Sequence, residues 1–252
     1  MNFDGFIFFA ISLIGLIILQ RLLQREIQII LLLITGSPNL AIGIYSILLL
    51  PGVFIHELSH LLMALLLRVR VLKISFVPEV TKKGKIRLGF VQTAKTDIFR
   101  DSIIGLAPFL VGLLLVALIG IFIFGIEKRI YPSGLDYLGF IIGSLRNLPE
   151  VKDFGIWYYL AFAISTTMIP SESDRQSWKI IIFVLVFILF VVVISGFGEW
   201  MINHLSPVIN QWLFSLSLIL IGSLIVHLIL YLPILVLRQV IMKLFGFQLT
   251  KA

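Results

Sequence analysis

The chain has 252 residues, 60% of them hydrophobic and only 13% charged, with a mean hydropathy of +1.11. A soluble domain carries about 25% charged residues, so the composition excludes one and calls for a bilayer as solvent. The formal net charge of +7 does not argue for nucleic acid, because the basic residues sit beside apolar segments in the positive-inside pattern, and the absence of cysteine removes disulfides, thiolate metal sites and cysteine nucleophiles together.

A helix needs about 20 apolar residues to cross a bilayer, and open sheets leave backbone groups unsatisfied there. The expected fold is therefore an all-α polytopic membrane protein, a single domain over 1–252 with about six transmembrane helices. The N-terminus, "MNFDGFIFFAISLIGLIILQ", has an acidic lead and no small-residue cleavage site, so it reads as a retained anchor. Its apolar part covers Phe6–Leu19 or longer; a simple span from an inside N-terminus would put Arg21 and Arg25 outside, unless "QRLLQREIQIILLLITG" is an amphipathic or re-entrant piece, and the sequence leaves both arrangements open. The second segment is Ala41–Leu67. Between Arg68 and Arg100 lie nine Lys/Arg against Glu79 and Asp97, the strongest basic loop and hence the cytoplasmic one. Within it "VRVLKISFVPE" and "KIRLGFVQT" alternate apolar and polar residues around a turn at Gly84, which predicts a β-hairpin over about 71–92.

Ile103–Ile126 is the third segment, followed by a loop over Glu127–Gly155 that carries a short apolar piece. Ile156–Ile169, short for a span, and Trp178–Ser195 flank the polar break "MIPSESDRQSW". A loop over Ser195–Gln211, without Lys or Arg, falls outside if the basic loop is inside. Trp212–Leu237 is the last segment, and the tail with Arg238, Lys243 and Lys251 returns inside.

The second segment contains "VFIHELSHLL". His56 and His60 are four residues apart and share one helix face, with Glu57 beside His56 around the turn. Two imidazoles at this spacing can ligate one Zn2+, and the adjacent carboxylate can serve as general base toward a water at the metal. An accidental H-E-x-x-H in a chain this poor in His and Glu has a chance of about two in a thousand. The competing interpretation is a set of polar groups that satisfy one another or line a proton path. Ser59 points away from the ligand face and reads as helix packing, and Pro51-Gly52 as a bend in the helix.

A third ligand must come from elsewhere in the chain. The candidates are His204, His227, Glu199 and Asp174, with Glu172 as fallback. His204 and Glu199 lie in the loop assigned outside. His227, deep in "SLIVHLILYL", reads as bonding a neighbouring helix. Asp174 falls on the cytoplasmic side, as does His60, only ~12 Å of helix rise from Arg68. Its alternative role, shared with Ser173, is to cap a helix starting near Arg175.

With these residues in place the chain resembles the site-2 protease family of intramembrane zinc metalloproteases. The resemblance runs from about Ala41 to Ile182: H-E-x-x-H on the second helix, a following hairpin, "GLAPFLVGLLL" similar to the family's third helix, and Pro170 followed by an aspartate. It implies His56, His60 and Asp174 as zinc ligands, Glu57 as catalytic base, and a membrane protein or peptide, locally unwound, as substrate. Two departures stand out: Asp174 is followed by Arg175 where the family has Gly, and Phe109–Gly112 stands where many members have Asn. A non-catalytic relative, a metal-stabilised binding or chaperone protein of the membrane, is the alternative expectation.

Overall fold

The computed structural model describes residues 3–80, 86–123 and 151–244. The turn expected at Gly84, most of the loop expected over Glu127–Gly155, and Lys251 lie outside the described residues. The described elements are α1 (Asp4–Thr35), α2 (Pro38–Leu48), α3 (Leu50–Leu66), β1 (Val71–Ser75), β2 (Glu79–Val80), β3 (Ile86–Arg87), β4 (Phe90–Thr93), α4 (Ile98–Leu118, ending in a π-helical turn over Ile119–Ile123), α5 (Phe154–Thr167), α6 (Trp178–Ile194) and α7 (Gly198–Leu244).

Among the described residues, three helices are long and apolar enough to cross a membrane: α1, α4 with its π turn, and α7. There are four if α2 and α3 form one broken span. Six spans are not found among the described residues, for identifiable reasons. The segment Ala41–Leu67 is bent by 70° between α2 and α3. Pro51 in the first turn of α3 has no N–H to give, and its ring crowds the carbonyl four residues back, which sets the break there. At 14 residues α5 rises only ~21 Å, short of a ~30 Å hydrocarbon core.

The arrangement left open after Leu19 is settled and one further expectation is corrected. The stretch with Arg21 and Arg25 is the continuation of α1. No Gly or Pro interrupts it until Gly36, which closes the helix in the left-handed conformation. The loop expected over Ser195–Gln211 belongs to α7 from Gly198 onward, a 47-residue helix that passes through Pro207 and Pro233.

Helices α1 and α7 run parallel along most of their length. Gly5 N–H donates to the Asn210 side chain, Gly15 abuts Leu224, and Arg238 Nη1 meets the Glu26 carboxylate at 2.8 Å. Arg21 and Arg25 therefore lie toward the same end of the α1–α7 pair as Arg238. The Glu26–Arg238 pair is mostly buried. Removing one partner strands a charge at membrane depth, so Arg238→Met is expected to destabilise the protein by ~3 kcal/mol, with Glu26→Gln in the same chain recovering most of it; thermal unfolding in detergent measures both.

The expected hairpin is present as an outer antiparallel pair, β1 with β4 (Val71 opposite Thr93), and an inner pair, β2 with β3. The core joins α1, α2, α3 and α5 through Leu23, Ile27, Tyr45, Leu49, Val53 and Phe162. A second cluster, Leu16, Leu113, Met168 and Leu220, ties α1, α4 and α7 to the end of α5. Lipid is as apolar as these side chains, so close approach of backbones matters more than burial. Gly52 lies directly against the backbone of Ala163, and Gly112 against Met168, so α3 and α4 both lie tight on α5 and the chain that follows it.

Candidate metal centre

The α3 helix carries His56 and His60 on one face, one turn apart, and their rings meet edge to face with centroids 4.8 Å apart. Their Nε2 atoms are 3.2 Å from each other. His60 Nδ1–H donates to the Ile104 carbonyl of α4 at 2.9 Å, and since a carbonyl can only accept, this bond leaves the His60 Nε2 lone pair facing His56.

The third group comes from the segment between α5 and α6. The Asp174 carboxylate presents Oδ2 to His56 Nε2 at 3.6 Å and Oδ1 to His60 Nε2 at 3.4 Å. It accepts the Ser171 N–H at 2.7 Å, so it closes its own turn while facing the rings. It caps no helix: α6 starts at Trp178, and its N-cap Ser177 bonds Asp101 of α4 instead. Burial alone would raise the Asp174 carboxyl; with a proton on the facing Nε2 atoms, the His56 and His60 rings together with Ser171 outweigh it and hold it well below the usual carboxylate range.

Gly105 permits this approach. A Cβ at that position would coincide with the Asp174 backbone carbonyl, so α4 can receive the segment only where it has no side chain. Gly105 and Gly112 are seven residues apart and share a face, and together they seat the end of α5 and the turn beyond it. Gly105→Val is expected to push Asp174 away from the histidines and weaken metal binding by roughly 10–100-fold, the range seen for lost supporting contacts. Gly43→Ala, where nothing lies within 4 Å of an added Cβ, is expected to leave it unchanged; titration with a zinc indicator reads both.

The three groups are close enough to share one cation. The two Nε2 atoms, 3.2 Å apart, match the ~3.3–3.4 Å between donors bound at ~2.0–2.1 Å to a tetrahedral centre, each ring faces a different oxygen of the carboxylate, and one ligand atom from each residue lies within 4.8 Å of the others. His56 Nδ1 is buried without a hydrogen-bond partner. If that nitrogen carries the proton, two bare Nε2 lone pairs face each other beside a carboxylate, an arrangement that a divalent cation relieves. Among the described residues, His56, His60 and Asp174 form the one group of three able to hold a metal.

Glu57 is buried next to the pair, and it lines the same cavity as His56, His60 and Asp174. That cavity, of about 1010 Å³, extends from α1 and α2 past the three residues to β4 and the segment over residues 171–176. Gly89, between β3 and β4, lies over α3: a Cβ there would stand 3.0 Å from both Glu57 Cγ and Val53 Cγ1. The hairpin thus roofs the site.

The other candidates lie elsewhere. His227 is fully buried; its Nδ1–H donates to the Ser223 carbonyl, and its Nε2 accepts the Thr166 hydroxyl of α5 at 3.0 Å. It bonds a neighbouring helix, as expected. His204 is exposed on α7, where its Nδ1–H donates to the Trp200 carbonyl, and Glu199 sits in the first turn of that helix. Glu172 lines the cavity but is not part of the three-residue group. Ser59 donates back to the Ile55 carbonyl and packs within α3. The supporting roles of Ile104 and Gly105 escaped sequence reasoning; the one available signal is the seven-residue spacing of Gly105 and Gly112 on an apolar helix. Comparison of the chain with protein-family models, with curated proteins and with solved structures finds no match in any of the three.

Proposed function

We propose that this chain is an intramembrane zinc endopeptidase of the site-2 protease kind, cleaving membrane-embedded protein segments from a site that opens toward the cytoplasmic side. The observation that carries the reading is the meeting of an aspartate with two helix-stacked histidines more than a hundred residues away, beside a buried glutamate. His56, His60 and Asp174 would hold the zinc, which supplies a Lewis acid and lowers the pKa of water it binds.

The chain's own groups do the rest. Glu57 takes a proton from the attacking water and returns it to the departing amine, the two duties of a general base that becomes an acid. The Ile104 carbonyl fixes the His60 tautomer and ring orientation. Gly105 and the Ser171 N–H keep the Asp174 carboxylate turned to the rings. The hairpin over Glu57 shields the site from bulk water, and the cavity that continues toward α1 and α2 gives a substrate segment room to lie extended. Glu57 weighs against the non-catalytic alternative, because metal retention alone has no use for a buried carboxylate aimed into a cavity.

Incubating the purified, zinc-loaded protein with fluorogenic peptides of about 20 apolar residues tests the reading. Cleavage that stops with 1,10-phenanthroline and returns with added zinc is expected. A zinc-loaded protein that leaves every such peptide intact would overturn it.

A further inference from the structure

The second half of α1 is polar for a helix among lipids, and its polar residues fall into two sets. Gln20 donates to the Ser165 carbonyl of α5 and Glu26 pairs with Arg238 of α7, so both serve packing. Gln24 and Gln28 do something else: they line the cavity that contains His56, Glu57 and Asp174. Gln24 is half-buried and Gln28 is exposed, and Tyr45 of α2 lines the cavity with them. Among the described residues, the Gln24 amide bonds no other side chain or carbonyl. Leu32, Pro38, Ala41 and Ile42, near them in the chain, line the same cavity.

We infer that Gln24 and Gln28 form a subsite that hydrogen-bonds the main chain of a peptide segment lying extended along the cavity toward Glu57. The inference rests on the peptidase reading and names how the substrate is gripped. Each carboxamide both donates and accepts, which matches the N–H and C=O of a peptide unit. Spacing agrees: residues four apart on a helix are ~6 Å apart along its axis, and alternate residues of an extended chain repeat at ~6.6–6.8 Å, so two amides can meet two successive same-side peptide groups. Chemistry disfavours other occupants. Of the described charged residues lining the cavity, four are acidic (Glu57, Asp101, Glu172 and Asp174) against the single cation Arg87, which disfavours a phosphate headgroup, and an acyl chain has no use for two amides. The occupant is a segment whose backbone has left its helix, because only then are its peptide groups free in an apolar medium.

The test uses the full chain carrying Glu57→Gln, which retains zinc without turning substrate over, and a fluorescein-labelled peptide of about 20 apolar residues with a central Gly-Pro break. Fluorescence anisotropy in detergent reads affinity. Adding Gln24→Leu and Gln28→Leu together is expected to weaken binding about tenfold or more, the equivalent of at least one lost net hydrogen bond. Zinc content should stay unchanged. Methylating the peptide's backbone nitrogens on either side of the Gly-Pro break should weaken binding to the Gln24/Gln28 protein, with little further effect on the double variant.

Equal affinity for the two proteins, no binding to either, or loss of zinc from the double variant would overturn the subsite. Wild-type hydrolysis of the same peptide judges the peptidase reading separately. Tight, glutamine-dependent binding without any cleavage by wild type would keep the subsite and overturn the catalytic reading, and cleavage with glutamine-independent binding would do the reverse.

Discussion

Asp174→Ala is expected to strip zinc from the purified protein while His227→Ala leaves it bound, even though His227 is the more deeply buried and has the better zinc-binding ring. The difference follows from where each side chain points. Asp174 faces both Nε2 atoms at 3.4–3.6 Å, whereas both nitrogens of His227 are engaged, one with Ser223 and the other with Thr166. Loss of a mere supporting partner costs a zinc site roughly 10–100-fold, so loss of Asp174 itself should exceed about 100-fold in affinity. His227→Ala leaves a hole and an unpaired Thr166 hydroxyl, which will cost stability by ~2–4 kcal/mol without touching the metal. Competition with a zinc chelator of known affinity and a thermal unfolding curve separate the two effects. The reverse order of zinc loss would move the third ligand to α7.

Glu57→Gln is expected to retain zinc at wild-type stoichiometry and lose turnover by about 10²–10⁴-fold, the contribution of a positioned acid–base group. The substitution keeps the side chain's volume under Gly89 and beside Val53, so the roof over the site should not shift. A carboxamide cannot take the proton. His56→Ala and His60→Ala should fail differently, by losing the metal and with it all activity. Elemental analysis alongside a peptidase assay distinguishes the two kinds of failure. Undiminished cleavage by Glu57→Gln would show that another group serves as base.

Much of the site could be read from the sequence because its chemistry is local. His56, Glu57 and His60 sit within five residues, and helical geometry alone puts both rings on one face. The hairpin could be read for the same reason, since alternation over Val71–Ser75 and Phe90–Thr93 is a short-range signal. Asp174 was reachable only by an argument from membrane sides and by family resemblance, and the competing role as a helix cap was a fair local reading of "PSESDRQSW". What local reading could not supply was Gly105. Whether a glycine makes room for a distant carbonyl depends on tertiary packing, and its residue type alone carries no address.

The count of six spans is not reproduced among the described residues for a related reason. Hydropathy sees composition, so Ala41–Leu67 looked continuous although Pro51 breaks its helical ladder, and Ser195–Gln211 looked like a loop although its residues, polar but free of charge runs, continue a helix. The parallel pairing of α1 with α7 is also invisible locally. It rests on contacts such as Gly5 with Asn210 and Glu26 with Arg238, each separated by about two hundred residues of sequence.

X-ray absorption at the zinc edge of the purified wild-type protein, with its stoichiometry from elemental analysis, bears most directly on the central claim. One zinc per chain is expected, with two imidazole nitrogens at ~2.0–2.1 Å and carboxylate oxygen at ~2.0–2.2 Å, and with that oxygen shell altered in Asp174→Ala. A protein that binds no stoichiometric zinc from zinc-containing buffer, or a zinc whose imidazole shell survives in the His56→Ala, His60→Ala double variant, would contradict it.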